Sequence, residues 1–318
     1  MQSSFEAAAA RVVVLGTGGT IAGTSASAGD NVGYTAAQRG VAQLVAAVPA
    51  LAQVPLETEQ VAQLDSKDMG YAVWRELAHR IAQHLARAEV AGVVVTHGTD
   101  TLEETAWFLQ RVLAPAKPVV LTAAMRPATA LHSDGPQNLV DAIGIAREPG
   151  ARGVVAALAG TLHAARDVRK VHPYRIDAFS SGDAGPLGRI EEGRLRRTRD
   201  WPEASDGLGV DLLPQDAAAW PWVEIVTSGV QADGAAVRAL LAAGVRGLVV
   251  ATTGNGSVHA SLEAALHAAQ QQGVAVLRAT RCHDGSIIEA ASAQPDALPS
   301  AGDLTPVKAR VELMLRLL

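Results

Sequence analysis

Two short segments combine hydroxyl side chains, glycine and a carboxylate in a way that suits attack on a carbonyl carbon. The first, Gly16–Gly23, has the sequence GTGGTIAG and follows an apolar run of strand length, Val12–Leu15. Glycines in such a turn let a substrate approach the backbone, whose N–H groups can stabilise a developing oxyanion. A plain tight turn explains the glycines equally well. A dinucleotide fingerprint does not fit, because Ile21 stands where its third small residue belongs.

The second segment, Val93–Glu104, has the sequence VVVTHGTDTLEE and predicts a strand, a short turn and the start of a helix. Thr101 and Glu104 match a capping box, so helix initiation explains those two residues. Thr99 and Asp100 remain, at the C-terminal edge of a predicted parallel strand, where open α/β sheets place ligands. Asp100 could there pair with a substrate ammonium or orient a base.

The pattern of the chain predicts the elements that must position these groups. Apolar runs of strand length alternate with longer amphipathic stretches, which is typical of a mostly parallel sheet covered by helices. We therefore predict an α/β protein of two domains, a larger N-terminal one with a parallel or mixed sheet and flanking helices, and a smaller C-terminal α/β one. The alternation fails between about Phe179 and Pro221, which places the domains at 1–200 and 222–318 with a linker at 201–221. Predicted strands are Val12–Leu15, Val93–Thr96, Val119–Thr122, Val154–Leu158, Val223–Val226, Gly247–Ala251 and Val274–Arg278; predicted helices are Tyr71–Arg87, Leu102–Leu113, Asn138–Arg147, Ala235–Ala243, Ser261–Gln271 and Leu304–Leu318.

Composition excludes several classes of function. The 318 residues are 48% hydrophobic and 19% charged, which is typical of a globular chain, and the net charge of −5 argues against a nucleic-acid partner. Basic residues cluster at Arg194–Arg199 but acids flank them, so we expect a solvated loop. Cys282 is the only cysteine, which excludes an intrachain disulfide, an iron–sulfur cluster and a cysteine-rich zinc site.

The sequence also bears on membranes and location. No run approaches the ~18 uninterrupted apolar residues of a membrane span, so we expect no membrane partner. The N-terminal residues lack a basic leader and carry Glu6, which does not fit a signal peptide. The expectation is a cytoplasmic protein, or a periplasmic one if a leader was removed.

In these two segments the sequence resembles the bacterial-type L-asparaginases and glutaminase-asparaginases. The family signatures are Thr17–Ala22 (TGGTIA) and His97–Thr101 (HGTDT), and their joint occurrence with further blocks in family order, over nearly the whole chain, is very specific. Those blocks are Met125–Pro127, Ser133–Pro136, Asn138-Leu139, Gly160 to Lys170, Gly185–Gly188, Gly254–Gly256 and Leu304 to Arg310.

The resemblance implies an amidohydrolase that acts on a small amide, namely L-asparagine or, alternatively, glutamine or a related amide. It implies a homotetramer, built as a dimer of dimers with sites at subunit interfaces, and no metal or organic cofactor. Thr20 would be the nucleophile, and Tyr34 its partner on a mobile lid within Gly23–Thr35. The second group would be Thr99, Asp100 and Lys170. The implied substrate-binding residues are Gly19, Ser66 (for the α-carboxylate), Lys67, Thr99, Asp100 (for the α-ammonium), Ala124 (whose backbone would hold the side-chain amide) and Asn255.

The residue types suit that chemistry. A threonine hydroxyl is a poor nucleophile until a neighbour accepts its proton, and tyrosine or lysine can serve as that neighbour once its surroundings tune it. Lysine is rare here, with four residues among 27 Lys and Arg, so Lys170 is notable. An arginine at that position would stay charged and could not shuttle a proton. His97 is expected to pack and hydrogen-bond, and the sequence contains no H-E-x-x-H motif, so metal catalysis is not expected.

Two departures from the family concern the substrate. Lys67 stands where the family usually has Gln or Glu. If its ammonium faces the site, it would repel the amino group of asparagine, and Lys67→Gln would lower the KM for asparagine. If the ammonium faces solvent, the substitution would have no such effect. Ala293 aligns with a family glutamate that reaches the neighbouring site, and Glu289 could compensate. The chain also resembles the asparaginase-like subunit of a tRNA-dependent amidotransferase, but that subunit normally carries an extra N-terminal domain, whereas the first strand is expected here near residue 12. A third alternative is a catalytically silent binding protein on the same scaffold.

Overall fold

The structure of the chain is a computed structural model that describes residues 10–203, 206–289 and 297–318. The chain forms two compact units, and the boundary between them lies between Asp211 and Leu212. That boundary lies inside the segment 201–221, whose assignment as a linker stays a prediction. Among the described helices, none is long and apolar enough to cross a bilayer.

The first unit contains an eight-stranded mixed sheet with the order β10-β9-β6-β5-β4-β3-β1-β2. Strands β5, β4, β3, β1 and β2 run parallel to one another, whereas the β5–β6, β6–β9 and β9–β10 pairs are antiparallel. A separate two-residue pair, β7 and β8, follows β6 in the chain. The strands are β1 (Arg11–Gly18), β2 (Leu56–Leu64), β3 (Val90–Thr96), β4 (Val119–Thr122), β5 (Val154–Leu158), β6 (Thr161–Ala164), β7 (Arg169–Lys170), β8 (Phe179–Ser180), β9 (Gly188–Glu191) and β10 (Arg194–Arg197).

Helices cover this sheet because its central strands are apolar on both faces, as expected of parallel strands. One core cluster joins Val12 and Val14 of β1 to Val41 of α1 and Leu139 of α4. Helices α2 and α3 pack together, and the stacked rings of Trp74 and Phe108 lie 4.6 Å apart. The helices are α1 (Val41–Ala46), α2 (Tyr71–Leu85), α3 (Leu102–Leu113) and α4 (Gly135–Ala146).

The second unit has a three-stranded parallel sheet with the order β11-β12-β13 and a core of its own. Its elements are β11 (Val223–Thr227), α5 (Ala235–Ala242), β12 (Gly247–Thr252), α6 (Ala260–Gln271), β13 (Ala275–Thr280) and α7 (Pro306–Arg316). The predicted fold class, α/β with a larger N-terminal sheet and a smaller C-terminal one, is confirmed.

Several local predictions differ from the structure. Strand β2 was not predicted, because Leu56–Leu64 is a half-buried edge strand whose charged and polar residues interrupt any apolar run. The predicted solvated loop at the arginine cluster is wrong, since Arg194–Arg197 forms β10, where the sheet ends and charged side chains discourage further pairing. Helix α4 begins at Gly135 rather than at Asn138, because Pro136 is well accommodated in the first turn.

Candidate active site

Thr20 lies in a glycine turn at the C-terminal end of β1. Gly18 and Gly19 have φ values of +105° and +80°, a conformation that residues with a Cβ rarely adopt. A Cβ on Gly19 would also lie 2.4 Å from the backbone N of Gly98, so the turn and the end of β3 are in backbone contact. The N–H of Gly19 donates to the carbonyl of Leu64 at 2.9 Å, which occupies it within the fold. Gly19 therefore contributes close packing in this structure, and its contact with substrate stays a prediction.

The hydroxyl groups of Thr20 and Tyr34 lie 2.7 Å apart and share a hydrogen bond. Thr20 is 7% exposed, so the residue is largely shielded from solvent. Gly23 makes the contact sterically feasible, since a Cβ there would lie 2.9 Å from Cδ2 of the Tyr34 ring. The structure thus brings together the two residues predicted as nucleophile and partner.

The segment that carries Tyr34 is a closed loop. Thr24 and Thr35 exchange two backbone hydrogen bonds of 2.9 Å at its base. Inside it, the Asp30 carboxylate accepts the N–H groups of Val32 and Gly33 at 2.9 and 2.7 Å. These N–H groups, that of Gly33 first, hold the pKa of Asp30 below its usual value. The loop is an ordered turn at the edge of β1, and its opening stays a prediction.

The second predicted group, Thr99, Asp100 and Lys170, is also assembled. The Lys170 ammonium donates to the Thr99 hydroxyl at 2.9 Å and to the Asp100 carboxylate at 2.6 Å. Asp100 follows β3, whereas Lys170 belongs to β7, and the residues are 70 apart in the chain. The backbone N–H of Lys170 donates to the Glu103 carboxylate at 3.4 Å, so the first turn of α3 also holds β7.

Ser66 joins this group from the end of β2. Its hydroxyl accepts the N–H of Asp100 at 3.2 Å, and its carbonyl accepts the Thr101 hydroxyl at 2.8 Å. The expected capping box is therefore wrong: the Thr101 side chain holds Ser66 and makes no cap of α3. A Cβ on Gly98 would lie only 2.3 Å from the Ser66 hydroxyl, so glycine is required for this approach.

Lys67, next to Ser66, places its ammonium between two carboxylates. The distances are 3.1 Å to Asp65 and 3.0 Å to Asp68, and the Lys67 side chain is 62% exposed. These contacts, that with Asp68 first, raise the pKa of Lys67. A cation compensated by two carboxylates contributes little repulsion to a substrate ammonium, so the inward, repelling Lys67 considered above is not what the structure shows.

His97 is fully buried beside the second group. Its Nδ1 lies 2.7 Å from the carbonyl of Gly98, which can only accept, so Nδ1 carries the proton. Burial lowers the pKa of His97 to about 4, although the bond to Gly98 acts in the opposite direction. Nε2 has no hydrogen-bond partner among the described residues. The imidazole is neutral at physiological pH and supports the turn, in agreement with the structural role expected from the sequence.

The turn around Ala124 is held by residues that sequence reasoning did not assign. The Asp134 carboxylate accepts the N–H groups of Met125 and Arg126, each at 2.9 Å, and Asn138 donates to the carbonyl of Ala123 at 2.9 Å. Burial raises the pKa of Asp134, although these N–H groups act against it. The signal was present in the sequence, because Ser133–Pro136 and Asn138 were noted as matching blocks without a role.

The second unit contains the remaining candidates. Both ends of the Asn255 side-chain amide bond the backbone of Ile288, at 2.9 and 2.7 Å. Glu289 forms an ion pair with Arg278 of the same unit, and Ala293 lies outside the described residues. The structure thus shows Asn255 and Glu289 engaged within their own unit, and their contacts with substrate stay predictions. Among the described residues, no cluster of three or more His, Cys, Asp or Glu could hold a metal ion.

Family comparisons agree with this geometry over both units. Residues 11–203 match the model of the asparaginase N-terminal domain, and residues 222–318 match that of the glutaminase/asparaginase C-terminal domain. The chain belongs to the asparaginase family. The match to the N-terminal asparaginase domain includes Thr20 and Tyr34, and also Thr99, Asp100 and Lys170.

Known asparaginases are similar along almost the whole chain. A glutaminase-asparaginase of Pseudomonas fluorescens biotype A is 38% identical over 97% of this chain and 86% of its own length. L-asparaginase 2 of Escherichia coli (strain K12) is 38% identical over 96% of this chain and 88% of its own. The crystal structure of a probable cytoplasmic L-asparaginase from Campylobacter jejuni superposes with a TM-score of 0.90 at 38% identity, covering 97% of this chain and 95% of that one.

Proposed function

We propose that this asparaginase-family enzyme hydrolyses the side-chain amide of L-asparagine to L-aspartate and ammonia. The proposal is supported by one observation: two threonine hydroxyls each form a hydrogen bond with a side chain that can exchange a proton. Thr20 bonds Tyr34 at 2.7 Å, and Thr99 bonds Lys170 at 2.9 Å. Such pairs are what a weak alcohol nucleophile requires.

The proposed reaction proceeds through an acyl-enzyme. The Thr20 oxygen attacks the amide carbon while Tyr34 accepts the Thr20 proton and passes its own phenolic proton towards the amide nitrogen. The C–N bond then breaks and the nitrogen leaves as ammonia. Water then attacks the Thr20 ester, which releases the acid and restores the hydroxyl. Thr99, Asp100 and Lys170 assist the proton transfers, and no step calls for a metal or an organic cofactor.

Substrate recognition is proposed to use the ends of β2, β3 and β4. The Asp100 carboxylate, 54% exposed, suits the α-ammonium, and Ser66 suits the α-carboxylate. The backbone at Ala124 suits the side-chain amide. With Lys67 compensated by Asp65 and Asp68, we expect ordinary recognition of the amino group.

The test is ammonia release from asparagine, glutamine and their D-isomers at millimolar and micromolar substrate. Wild type is expected to release ammonia, and Thr20→Ala to lose activity with its fold intact by circular dichroism, whereas Thr20→Ser serves as the matched control that keeps a hydroxyl. Residual activity of Thr20→Ala within about tenfold of wild type would exclude Thr20 as the nucleophile. Binding without ammonia release would instead indicate a silent scaffold.

We further propose that the enzyme is a homotetramer, a dimer of dimers with sites at subunit interfaces, and that it is cytoplasmic. The support for the first is the resemblance to the family, which implies this assembly. Sedimentation analysis tests the oligomeric state, because a monomer that is fully active would contradict sites completed by a neighbour. Cell fractionation tests the location.

A further inference from the structure

Arg126 bridges two loops of the first unit. Its guanidinium Nη1 donates to the backbone carbonyl of Tyr174 at 2.9 Å, and its Cζ lies 4.0 Å from the centre of the Tyr174 ring. A hydrogen bond and a cation–π contact with the same residue restrict that residue more than either contact alone, and the planar guanidinium is suited to make both. The Tyr174 side chain, otherwise half-exposed, is held at the surface by this contact.

Each end of the bridge belongs to a segment of the proposed site. Arg126 lies two residues after Ala124, in the turn whose N–H groups the Asp134 carboxylate holds. Tyr174 lies in the connection between β7 and β8, four residues after Lys170. The bridge therefore joins the turn proposed for the amide to the segment that carries the lysine.

The β7–β8 connection needs such support. Each strand has two residues, and a two-stranded hairpin is at best marginally stable by itself in water. The connection closes through the Val171 N–H, which donates to the carbonyl of Ala178 at 2.8 Å. Inside it, His172 Nδ1 accepts the N–H groups of Tyr174 and Arg175 at 3.0 Å each. These bonds are local, whereas Arg126 ties the connection to the main sheet.

We propose that Arg126 is a positioning residue for Lys170, which acts by holding Tyr174 and hence the β7–β8 connection. The proposal rests on the proposed amide hydrolysis. The Lys170 ammonium must stay within hydrogen-bond distance of Thr99 and Asp100, and a displacement of about 1 Å costs on the order of 10²-fold in rate where alignment matters. Arg126 does not itself contact the reacting atoms in this scheme.

Kinetics of five variants test the proposal. Tyr174→Ala removes the ring and Arg126→Gln removes the guanidinium, and each is expected to lower kcat by about tenfold or more while KM changes by less than about threefold. The double variant should lose little more than Arg126→Gln, because the contact is already absent. Tyr174→Phe should retain activity, since the bridge uses the ring and the backbone carbonyl. Arg175→Gln is the matched control, because Arg175 lies in the same connection but pairs with Asp177.

Hydrogen–deuterium exchange of the Val171 amide gives a readout that does not depend on activity. It should be faster in Tyr174→Ala and Arg126→Gln than in wild type and unchanged in Arg175→Gln. Inactive wild type would refute the proposed function, and the exchange result would then still decide the bridge. Active wild type with unchanged kcat in both Tyr174→Ala and Arg126→Gln, or a loss of kcat in Tyr174→Phe equal to that in Tyr174→Ala, would overturn the positioning role.

Discussion

Acidification is expected to destabilise the folded protein in part through His97. The unfolded side chain has a pKa near 6.5, whereas burial lowers the folded value to about 4. Because the folded pKa is depressed, the unfolded chain binds the proton first, and the contribution of the neutral imidazole to stability is complete above about pH 6.5 and lost as pH falls towards 4. The difference, about 2.5 pH units, corresponds to about 3 kcal/mol at 1.36 kcal/mol per unit. His97 is fully buried, so solvent does not screen this effect.

A substitution isolates the effect. Glutamine at position 97 cannot gain a proton, so His97→Gln should lack this part of the pH dependence. The free energy of unfolding is measured by denaturant titration between pH 4 and pH 7.5 for both proteins, at one protein concentration so that subunit association is held constant. The advantage of wild type over His97→Gln should shrink by about 3 kcal/mol from pH 7.5 to pH 4.

The difference in free energy of unfolding between wild type and His97→Gln at pH 7.5 serves as the internal control, because at that pH it reports only the packing and hydrogen bonds lost with the imidazole. Asp134 and Asp141 have pKa values raised by burial, so their contribution changes in the opposite sense and grows as pH falls; both carboxylates are present in both proteins and cancel in the difference. A difference between the two proteins that stays constant across the pH range would refute the reasoning.

Two further substitutions test the arrangement around Ser66. Lys67→Gln should leave the KM for asparagine within about twofold of wild type in steady-state assays, since Asp65 and Asp68 already compensate the ammonium and exposed pairs are weak; a clear fall in KM would show that Lys67 repels the substrate. Gly98→Ala should lower the free energy of unfolding by about 1–3 kcal/mol in denaturant titration and reduce kcat, because the added Cβ would lie 2.3 Å from the Ser66 hydroxyl; wild-type values for both would contradict the close approach.

The strands that carry the site were predictable because they are buried on both faces. Val93–Thr96 and Val119–Thr122 are uninterrupted apolar runs followed by polar turns, and burial in a parallel sheet requires that pattern. Leu56–Leu64 lies at the sheet edge and is half-buried, so no such pattern marks it, although its end carries Ser66. Strand β2 was therefore not predicted although it positions a candidate site residue, and the two-residue strand β7, which carries Lys170, was not predicted either.

The direction of a side chain was harder to predict from the sequence than the type of secondary structure that carries it. The sequence left open whether Lys67 faces the substrate, and the nearby carboxylates of Asp65 and Asp68 decided it. Thr101 matched a capping pattern, yet its hydroxyl bonds the carbonyl of Ser66 instead. In both cases a group outside the local pattern offered the better partner, because tertiary contacts compete with local hydrogen bonds.

The sequence by itself determined the two-part α/β architecture, the turns that present Thr20 and Thr99, and the resemblance that names the chemistry, because local pattern and residue type encode these features. Only the tertiary structure showed which side chains distant in the sequence contact each other. Lys170 reaches Thr99 across 71 residues of chain, and Arg126 reaches Tyr174 across 48, through contacts that no spacing predicts. Such meetings depend on the order of strands in the sheet and on the connections that follow them, since the fold alone brings distant residues within hydrogen-bond distance.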